Sequence, residues 1–335
     1  MTVMTRKNAI ACAFAAVAWA ALAPAPAAPP YAVSHALPEP VVFAPGVIST
    51  GDDESHPTFT PDGRMLYFLR NTPLFDHWTV VVSRFVDGRW STPEVAPFSG
   101  RFNDADVAFS PDGSSLYFIS DRPAAPGGKS RDDTDVWMMR KTADGWSEAR
   151  HLDAVSSPGY EWFPTVTDDG TLYFGSARRD GNRGPAGTSD LWRSRLVDGR
   201  YTEPENLGDV INTSGQDIEA WVAPDESYII FSSKGRADSR GNYDLYISYR
   251  RGETWSEPQN LGDTVNSEGW EFGARMSPDG RYLFFTSNRK MFERPLERRL
   301  SYPELIDMLH SPGNGLRDIY QVDASVLPAA PDRVP

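Results

Sequence analysis

The sequence predicts an all-β protein, a single β-propeller of five four-stranded blades. A tight turn carrying an acidic residue recurs five times at intervals of 50 to 57 residues, which is the spacing of propeller blades. Each turn is followed by an aromatic strand and then by a short Asp-aliphatic-aromatic run. One such unit cannot bury both faces of its own sheet, so the repeats must stack around an axis. The turns are Pro61-Asp62-Gly63, Pro111-Asp112-Gly113, Asp168-Asp169-Gly170, Pro224-Asp225-Glu226 and Pro278-Asp279-Gly280.

The first two strands of each repeat form a hairpin around this turn. In blade two, an apolar run ending at Phe109 leads through the turn into the strand 116–119. Proline presets the backbone angle of the first central position, aspartate bonds back to the backbone, and glycine takes the left-handed position. Blade four has Glu226 in place of that glycine, which predicts a strained turn or a turn of another type.

The third strand opens with an aspartate in blades two to five, and the preceding second strand ends near an arginine. We therefore predict that an arginine-carboxylate ion pair clamps the two strands. Blade one supports this interpretation because it lacks both partners: Thr72 takes the arginine position and Thr79 takes the aspartate position. In blade four the arginine, Arg236, lies one residue late. The predicted pairs are Arg122–Asp135, Arg178–Asp190 and Arg289–Asp318.

The fourth strand carries a nearby proline, which places it at the outer edge of each blade because proline cannot donate to a sheet ladder. After Tyr320 the chain has no such strand. The segment 47–50 aligns with 210–213 when Glu54 is set against Asp217. The segment around 41–43 should therefore supply the missing outer strand of blade five and close the ring. Six blades are the alternative, but the spacing leaves no stretch for a sixth.

The two ends of the chain are predicted to lie outside the ring. Residues 1–28 combine Arg6 and Lys7 with an apolar run and small-residue cleavage sites, a pattern typical of a secretory signal and too short to span a membrane. Residues 29–40 form a proline-rich leader, 41–327 the propeller, and 328–335 a disordered tail. Cys12, the only cysteine, falls within the signal, which leaves no thiol or disulfide chemistry after cleavage.

The charge limits the classes of partner. The formal net charge is −13, and it becomes about −15 when the two cations of the signal are removed. This disfavours nucleic acid and anionic membrane surfaces and favours cationic or neutral ligands. No nucleophile elbow, phosphate loop, dinucleotide fingerprint or zinc-protease motif occurs in the sequence.

The repeats resemble the TolB-like propellers, a WD-like family built from Pro-Asp repeats and common in bacterial envelopes. The resemblance covers Glu54 to Tyr320 and rests on the five turns and on the Asp-aliphatic-aromatic runs. It implies a propeller fold, although the family usually has six blades. The family includes translocation-complex subunits, domains fused to peptidases and many proteins of unknown role, so the resemblance implies a fold more than a function.

An acidic residue stands seven positions before every turn, on the innermost strand. These five carboxylates would lie near one mouth of the central channel, where they could bind a calcium or magnesium ion or a cationic group. The alternative is that each acid accepts backbone N–H bonds from a neighbouring blade and is structural. No other cofactor is expected. The five residues are Glu54, Asp104, Glu161, Asp217 and Glu271.

Two residues after each acid, the repeat differs from blade to blade, and such departures are where function tends to lie. His56, Asp106 and Glu219 could form a metal site or an acid–base set, whereas the alternative gives His56 a structural role. If the protein is an enzyme, the catalytic candidates are these three and Glu161; otherwise no residue is catalytic. The varying residues are His56, Asp106, Phe163, Glu219 and Gly273.

The longest link between strands is the insertion 290–317 in blade five. Ser301 to Glu304 matches a capping box, and an apolar run ending at Leu309 follows it, so we expect a short helix over one ring face. The helix would cover apolar surface, act as a lid or dock a partner.

The leading hypothesis is an exported, non-catalytic binding or scaffold propeller that recognises an envelope protein or peptide at a ring face. The alternative is a glycan-active hydrolase or lyase that uses carboxylates at the channel mouth. Catalysis would require two carboxylates about 5 to 10 Å apart in an open site, whereas a scaffold tolerates a plugged channel. We expect a periplasmic or secreted monomer that binds no nucleic acid and has no transmembrane segment after signal cleavage.

Overall fold

The computed structural model describes residues 28–125, 127–292 and 295–331. These residues form five antiparallel blade sheets and one separate two-stranded ribbon, which confirms the predicted all-β fold with five blades. The described part contains two α-helices, α1 (Gly262–Val265) and α2 (Tyr302–Leu309). The predicted signal up to residue 27 and the last four residues lie outside the described ranges. No helix in these ranges is long and apolar enough to cross a membrane.

The strands follow the chain from blade one to blade five, and β1 belongs to the last blade. Its bounds are Val41–Val42. Blade one consists of β2 (Asp53–Phe59), β3 (Met65–Asn71), β4 (Trp78–Val86), β5 (Arg89–Trp90) and β6 (Glu94–Val95). Blade two consists of β7 (Asp104–Phe109), β8 (Ser115–Ser120), β9 (Asp135–Thr142), β10 (Gly145–Trp146) and β11 (Arg150–His151).

Blades three to five repeat this order from the innermost strand outwards. Blade three consists of β12 (Glu161–Val166), β13 (Leu172–Ser176), β14 (Asp190–Ser194) and β17 (Glu205–Asn206), with a separate ribbon of β15 (Leu196–Val197) and β16 (Arg200–Tyr201). Blade four consists of β18 (Gln216–Val222), β19 (Tyr228–Lys234), β20 (Asp244–Arg251), β21 (Thr254–Trp255) and β22 (Gln259–Asn260). Blade five consists of β23 (Glu271–Met276), β24 (Tyr282–Ser287), β25 (Asp318–Asp323) and β1.

Strand β1 closes the ring as predicted. Val41 and Val42 pair antiparallel with Gln321 and Tyr320, and the Phe43 N–H donates to the Ile319 carbonyl at 2.8 Å. The free edge of the last blade is thereby paired, which removes a site for strand addition.

The proline-rich leader packs against the ring. Tyr31 and Leu37 are both only 3% exposed, and Tyr31 lies beside the rings of Phe59 and Phe284. The leader is therefore part of the interface between blades five and one.

The hydrophobic core lies between the blades, as stacked repeats require. Each of the five buried clusters combines side chains of two neighbouring blades, for example Leu69 and Val80 of blade one with Phe118 and Trp137 of blade two. The cluster between blades five and one also contains Tyr31, Leu37 and Phe43 from the N-terminal segment.

The five repeat turns share one hydrogen-bond pattern, including the turn without glycine. In blade two the Gly113 N–H donates to the Ser110 carbonyl at 2.8 Å. In blade four the Glu226 N–H makes the same bond to the Ala223 carbonyl. Glu226 has a φ of +56°, so this turn is strained, which is the first of the two predicted possibilities. The Glu226 carboxylate accepts from the Tyr173 hydroxyl at 2.6 Å, which helps to hold this conformation.

The predicted ion pairs between arginine and the third-strand aspartate are wrong. Arg122 donates instead to Asp104 of the innermost strand at 2.6 Å. The third-strand aspartates accept from the link that precedes the third strand and, where present, from the outer strand next to it. Asp190, for example, accepts from the Arg183 N–H at 2.9 Å and from the Asn206 amide at 2.7 Å. The reason lies in the register: Ser120 pairs with Asp104, so Arg122, two residues later, bends back over that serine.

Candidate functional site

Every innermost strand contains a β-bulge two residues after its acid. The ladder to the second strand shifts register there in all five blades, and the bulged residue has a φ between +43° and +60°. Glycine adopts this conformation freely and other residues adopt it at a cost, which is lowest for asparagine, aspartate and histidine, so four of the five positions carry some backbone cost. The bulge brings together the residues at which the repeat varies. We call this set the axial hub: His56, Asp106, Phe163, Glu219 and Gly273.

The axial hub joins all five blades through one histidine and two carboxylates. The His56 Nε2 atom lies 3.3 Å from the nearer Glu219 oxygen and 3.5 Å from the nearer Asp106 oxygen. The other Asp106 oxygen accepts from the Phe163 N–H at 2.9 Å, and the other Glu219 oxygen accepts from the Gly273 N–H at 2.7 Å. The predicted association of His56, Asp106 and Glu219 is therefore present.

Burial and neighbouring charges have opposite effects on the pKa values of His56 and Asp106. Burial opposes protonation of His56, but the carboxylates of Asp106 and Glu219 outweigh it, so the pKa of His56 is raised. Burial raises the pKa of Asp106 against the effect of His56. The raised pKa of His56 favours its protonated form beside Asp106 and Glu219.

The hub has the form of a plug. His56, Asp106 and Glu219 are 4%, 3% and 8% exposed, and Glu161, the fourth catalytic candidate, lies outside the hub. No group of three or more histidine, cysteine, aspartate or glutamate side chains in the described ranges is arranged to hold a metal ion.

The five acids predicted to line the channel mouth are instead enclosed within their own blades, each with 0% exposure. Glu161 accepts from the Ser157 N–H at 3.1 Å, from the Ser157 hydroxyl at 2.5 Å and from the Ser176 hydroxyl at 2.9 Å. Burial raises the pKa of Glu161 to about 7. These contacts belong to the structural alternative, although the donors come from the link before the acid and from the second strand rather than from a neighbouring blade.

An arginine completes the surroundings of each acid. In blades two to five it lies on the aromatic side chain of the third strand and donates to a carbonyl of the link before the acid; Arg178, for instance, lies 4.5 Å from the Trp192 ring centroid and 2.8 Å from the Val155 carbonyl. In blade one Arg70 occupies the position of the serine and reaches Glu54 at 2.5 Å. The pairs are Arg70–Glu54, Arg122–Asp104, Arg178–Glu161, Arg236–Asp217 and Arg289–Glu271.

Arg275, which was not among the residues predicted from the sequence, lies one layer beyond the hub. This side chain is 6% exposed and its guanidinium carbon lies 4.0 Å from the Phe163 ring centroid. The other blades have Thr58, Ala108, Thr165 and Trp221 at this position, four residues after the acid. An arginine in a row of otherwise uncharged residues was a signal that the sequence contained.

A cavity of about 500 Å³ opens on the ring axis at the face that carries the Pro-Asp turns, which we call the turn face. All five blades contribute to its lining, with turn residues at the mouth and fourth-position residues at the inner end. We call it the axial funnel. Its mouth includes Pro61, Pro111, Asp168, Pro224, Asp225 and Pro278, and its inner end is formed by Thr58, Thr165, Trp221 and Arg275.

The opposite face, which we call the loop face, carries aromatic side chains and the insertion. Tyr160 and Trp162 stack with ring centroids 4.9 Å apart, and Trp162 also contacts Trp78. Helix α2 has the predicted capping box, formed by Ser301 and Glu304, and none of its residues is buried.

Comparison with known proteins finds similarity to solved structures only. No family model and no curated protein matches this chain. Similar solved structures include a candidate TolB from Agrobacterium tumefaciens, at 15% identity and a TM-score of 0.45 over 83% of this chain and 91% of that one. A puromycin-hydrolyzing peptidase from Mycobacterium tuberculosis matches at 16% identity and a TM-score of 0.39, over 76% of this chain and 46% of the peptidase. This chain therefore spans less than half the length of that peptidase, and membership in the TolB-like family stays a prediction.

Proposed function

We propose that this protein is a binding propeller of the cell envelope that recognises an extended peptide segment, presented by a partner protein, in the axial funnel. The observation that carries the proposal is the funnel itself, a blind cavity of about 500 Å³ to which every blade contributes. Concave sites with mostly apolar walls and a few polar groups are typical of ligand pockets. The walls here have this composition, with proline and aromatic side chains around one arginine.

The hub argues for binding rather than for glycan catalysis. A glycosidase needs two carboxylates that reach a substrate, one of them usually with room for water. Asp106 and Glu219 are held by backbone N–H groups and by His56, and each is less than 10% exposed. The remaining candidate, Glu161, is enclosed by serines and Arg178.

The cellular location is part of the proposal. The N-terminal pattern of Arg6, Lys7 and an apolar run supports export to the periplasm or beyond, where an envelope protein would be the partner.

Selection from a random peptide library tests this function. The library would be synthesised as hexapeptides attached through their N-termini, one half ending in a free carboxylate and the other half in an amide. We expect peptides from at least one half to bind the protein and to lose binding to Pro111→Trp, because the tryptophan narrows the funnel mouth. Trp270→Ala, on the loop face, is the matched control and should bind normally. Absence of binding from both halves, or binding that Pro111→Trp leaves unchanged, would refute the proposal.

A further inference from the structure

Arg275 is a buried cation without an anion in contact. Its Nη1 donates to the Thr165 hydroxyl at 3.2 Å, and its Nη2 donates to the carbonyls of Val107 and Pro164 at 3.1 and 3.2 Å. All three acceptors are neutral. Asp106 and Glu219 influence Arg275 through space, but no carboxylate in the described ranges lies within ion-pair distance of its guanidinium.

The guanidinium also has unused hydrogen-bonding capacity. It carries five N–H donors, of which three are used, and the buried Nε has no partner. An unsatisfied buried donor is destabilising, and more so when the group is charged. Arg275 lines the inner end of the axial funnel, so a ligand in the funnel can supply a further acceptor and the anion that Arg275 lacks in direct contact.

The charges along the funnel differ between its inner end and its mouth. The charged side chains in the lining are Arg275 at the inner end and Asp168 and Asp225 at the mouth. Asp168 follows Thr165, which lies beside Arg275, by three positions, and three residues of extended chain cover about 10 Å. An extended peptide would cover the same distance with three residues.

We propose that the axial funnel binds the C-terminal end of a peptide chain, with the terminal carboxylate on Arg275 and a lysine or arginine about three residues upstream near Asp168 and Asp225. A carboxylate fits better than a phosphate because Asp106 and Glu219 already place negative charge behind Arg275, and a dianion would be repelled more strongly. This inference rests on the proposed function, since it names the ligand of the same cavity.

The two halves of the hexapeptide library decide the question. We expect bound peptides to come from the free-acid half, to carry lysine or arginine at the third or fourth position from the end, and to bind at least tenfold more weakly when resynthesised as amides. Equal binding of the acid and amide forms would overturn the inference while leaving funnel binding intact, so the two proposals fail separately.

Variants at position 275 assign the effect to the arginine. Arg275→Gln should abolish the preference for the free acid, and Arg275→Lys should restore part of it. Arg84→Gln, at a half-buried arginine of blade one that pairs with Glu94, should leave it unchanged. A thermal melt of each variant checks folding. If Arg275→Gln does not fold, the ratio of the affinities for the acid and amide forms of a peptide is measured for Arg275→Lys instead. A ratio equal to that of the wild type would contradict the assignment. A preference for the acid that persists in Arg275→Gln would also overturn it.

Discussion

His56 is the cation within ion-pair distance of Asp106 and Glu219 in the part of the chain that the structure describes. Its positive φ places it on the ring axis, where an ordinary strand residue would point into a blade. The consequence is that two buried carboxylates from two other blades share one cationic side chain. Breaking such a buried arrangement by removing one partner typically costs about 3 to 5 kcal/mol.

We predict that His56→Asn lowers the free energy of unfolding by about 3 kcal/mol at pH 6. Asparagine tolerates the left-handed backbone, so the loss reflects the missing charge. Because the pKa of His56 is raised, its stabilisation is complete below its unfolded pKa and is lost as pH rises through the folded value. The deficit of the variant should therefore shrink between pH 6 and pH 9.

Urea unfolding at both pH values measures this effect. His77→Asn is the matched control because His77 is exposed, and it should change stability by less than about 0.5 kcal/mol. A deficit of equal size at pH 6 and pH 9 would contradict a charged role for His56.

Glu161 gives a second pH dependence, which arises from burial rather than from neighbouring charges. Its pKa is raised by burial from the ordinary 4.5 to about 7, so between these values the folded state holds a proton that the unfolded state has released. The stability of the wild type should fall as pH rises through this range, by up to about 3 kcal/mol from this residue. We predict that Glu161→Gln removes this fall.

The measurement is the unfolding free energy from pH 4.5 to pH 8 for the wild type and for two variants. The control is Glu203→Gln, because Glu203 is exposed. If Glu161→Gln and the wild type show parallel pH profiles, Glu161 does not titrate in this range.

At the scale of elements, the N-terminal segment stabilises the ring by closing its last blade. Phe43 is 6% exposed and lies edge-on to Phe284 at 5.1 Å, whereas Val41 on the same strand is 41% exposed. The strand has only two residues, so side-chain burial must contribute more to closure than its two ladder positions.

We predict that Phe43→Ala lowers the free energy of unfolding by about 3 to 5 kcal/mol, as large-to-small changes in cores do. Val41→Ala should cost less than about 1 kcal/mol because its side chain is partly in water. Deletion of residues 38–44 should lower the melting temperature further, since it also opens the sheet edge. Melting curves for the three variants test closure, and a deletion that melts like the wild type would show that β1 contributes nothing.

At the scale of the whole molecule, the distribution of charge is the main feature. The chain has a formal net charge of −13, yet the five repeat acids are fully buried, each with an arginine within 4 Å; they are Glu54, Asp104, Glu161, Asp217 and Glu271. These acids stabilise the attachment of each blade to the link before it. An ion binding there would have to displace bonds that already exist.

We predict that millimolar calcium or magnesium leaves the melting temperature unchanged. A ligand that binds only the folded state would raise it by mass action, and these carboxylates already accept from hydroxyl, backbone and guanidinium groups. Differential scanning calorimetry of the wild type with each ion tests this point. A stabilisation by calcium that disappears in Glu161→Gln would restore the alternative in which the acids hold a cation.

The sequence alone determined the repeat, the blade number and the closing strand, because turn chemistry and the alternation of apolar residues are local properties. It also indicated where the hub would form, since His56, Asp106 and Glu219 interrupt an otherwise regular position. The tertiary structure decided which charges meet. Arg122 could reach either Asp104 or Asp135, and only the register between the first and second strands selects Asp104. Likewise, the bulge that turns five residues towards the axis depends on the packing of all blades, so the isolation of Arg275 at the end of the funnel became visible only in three dimensions.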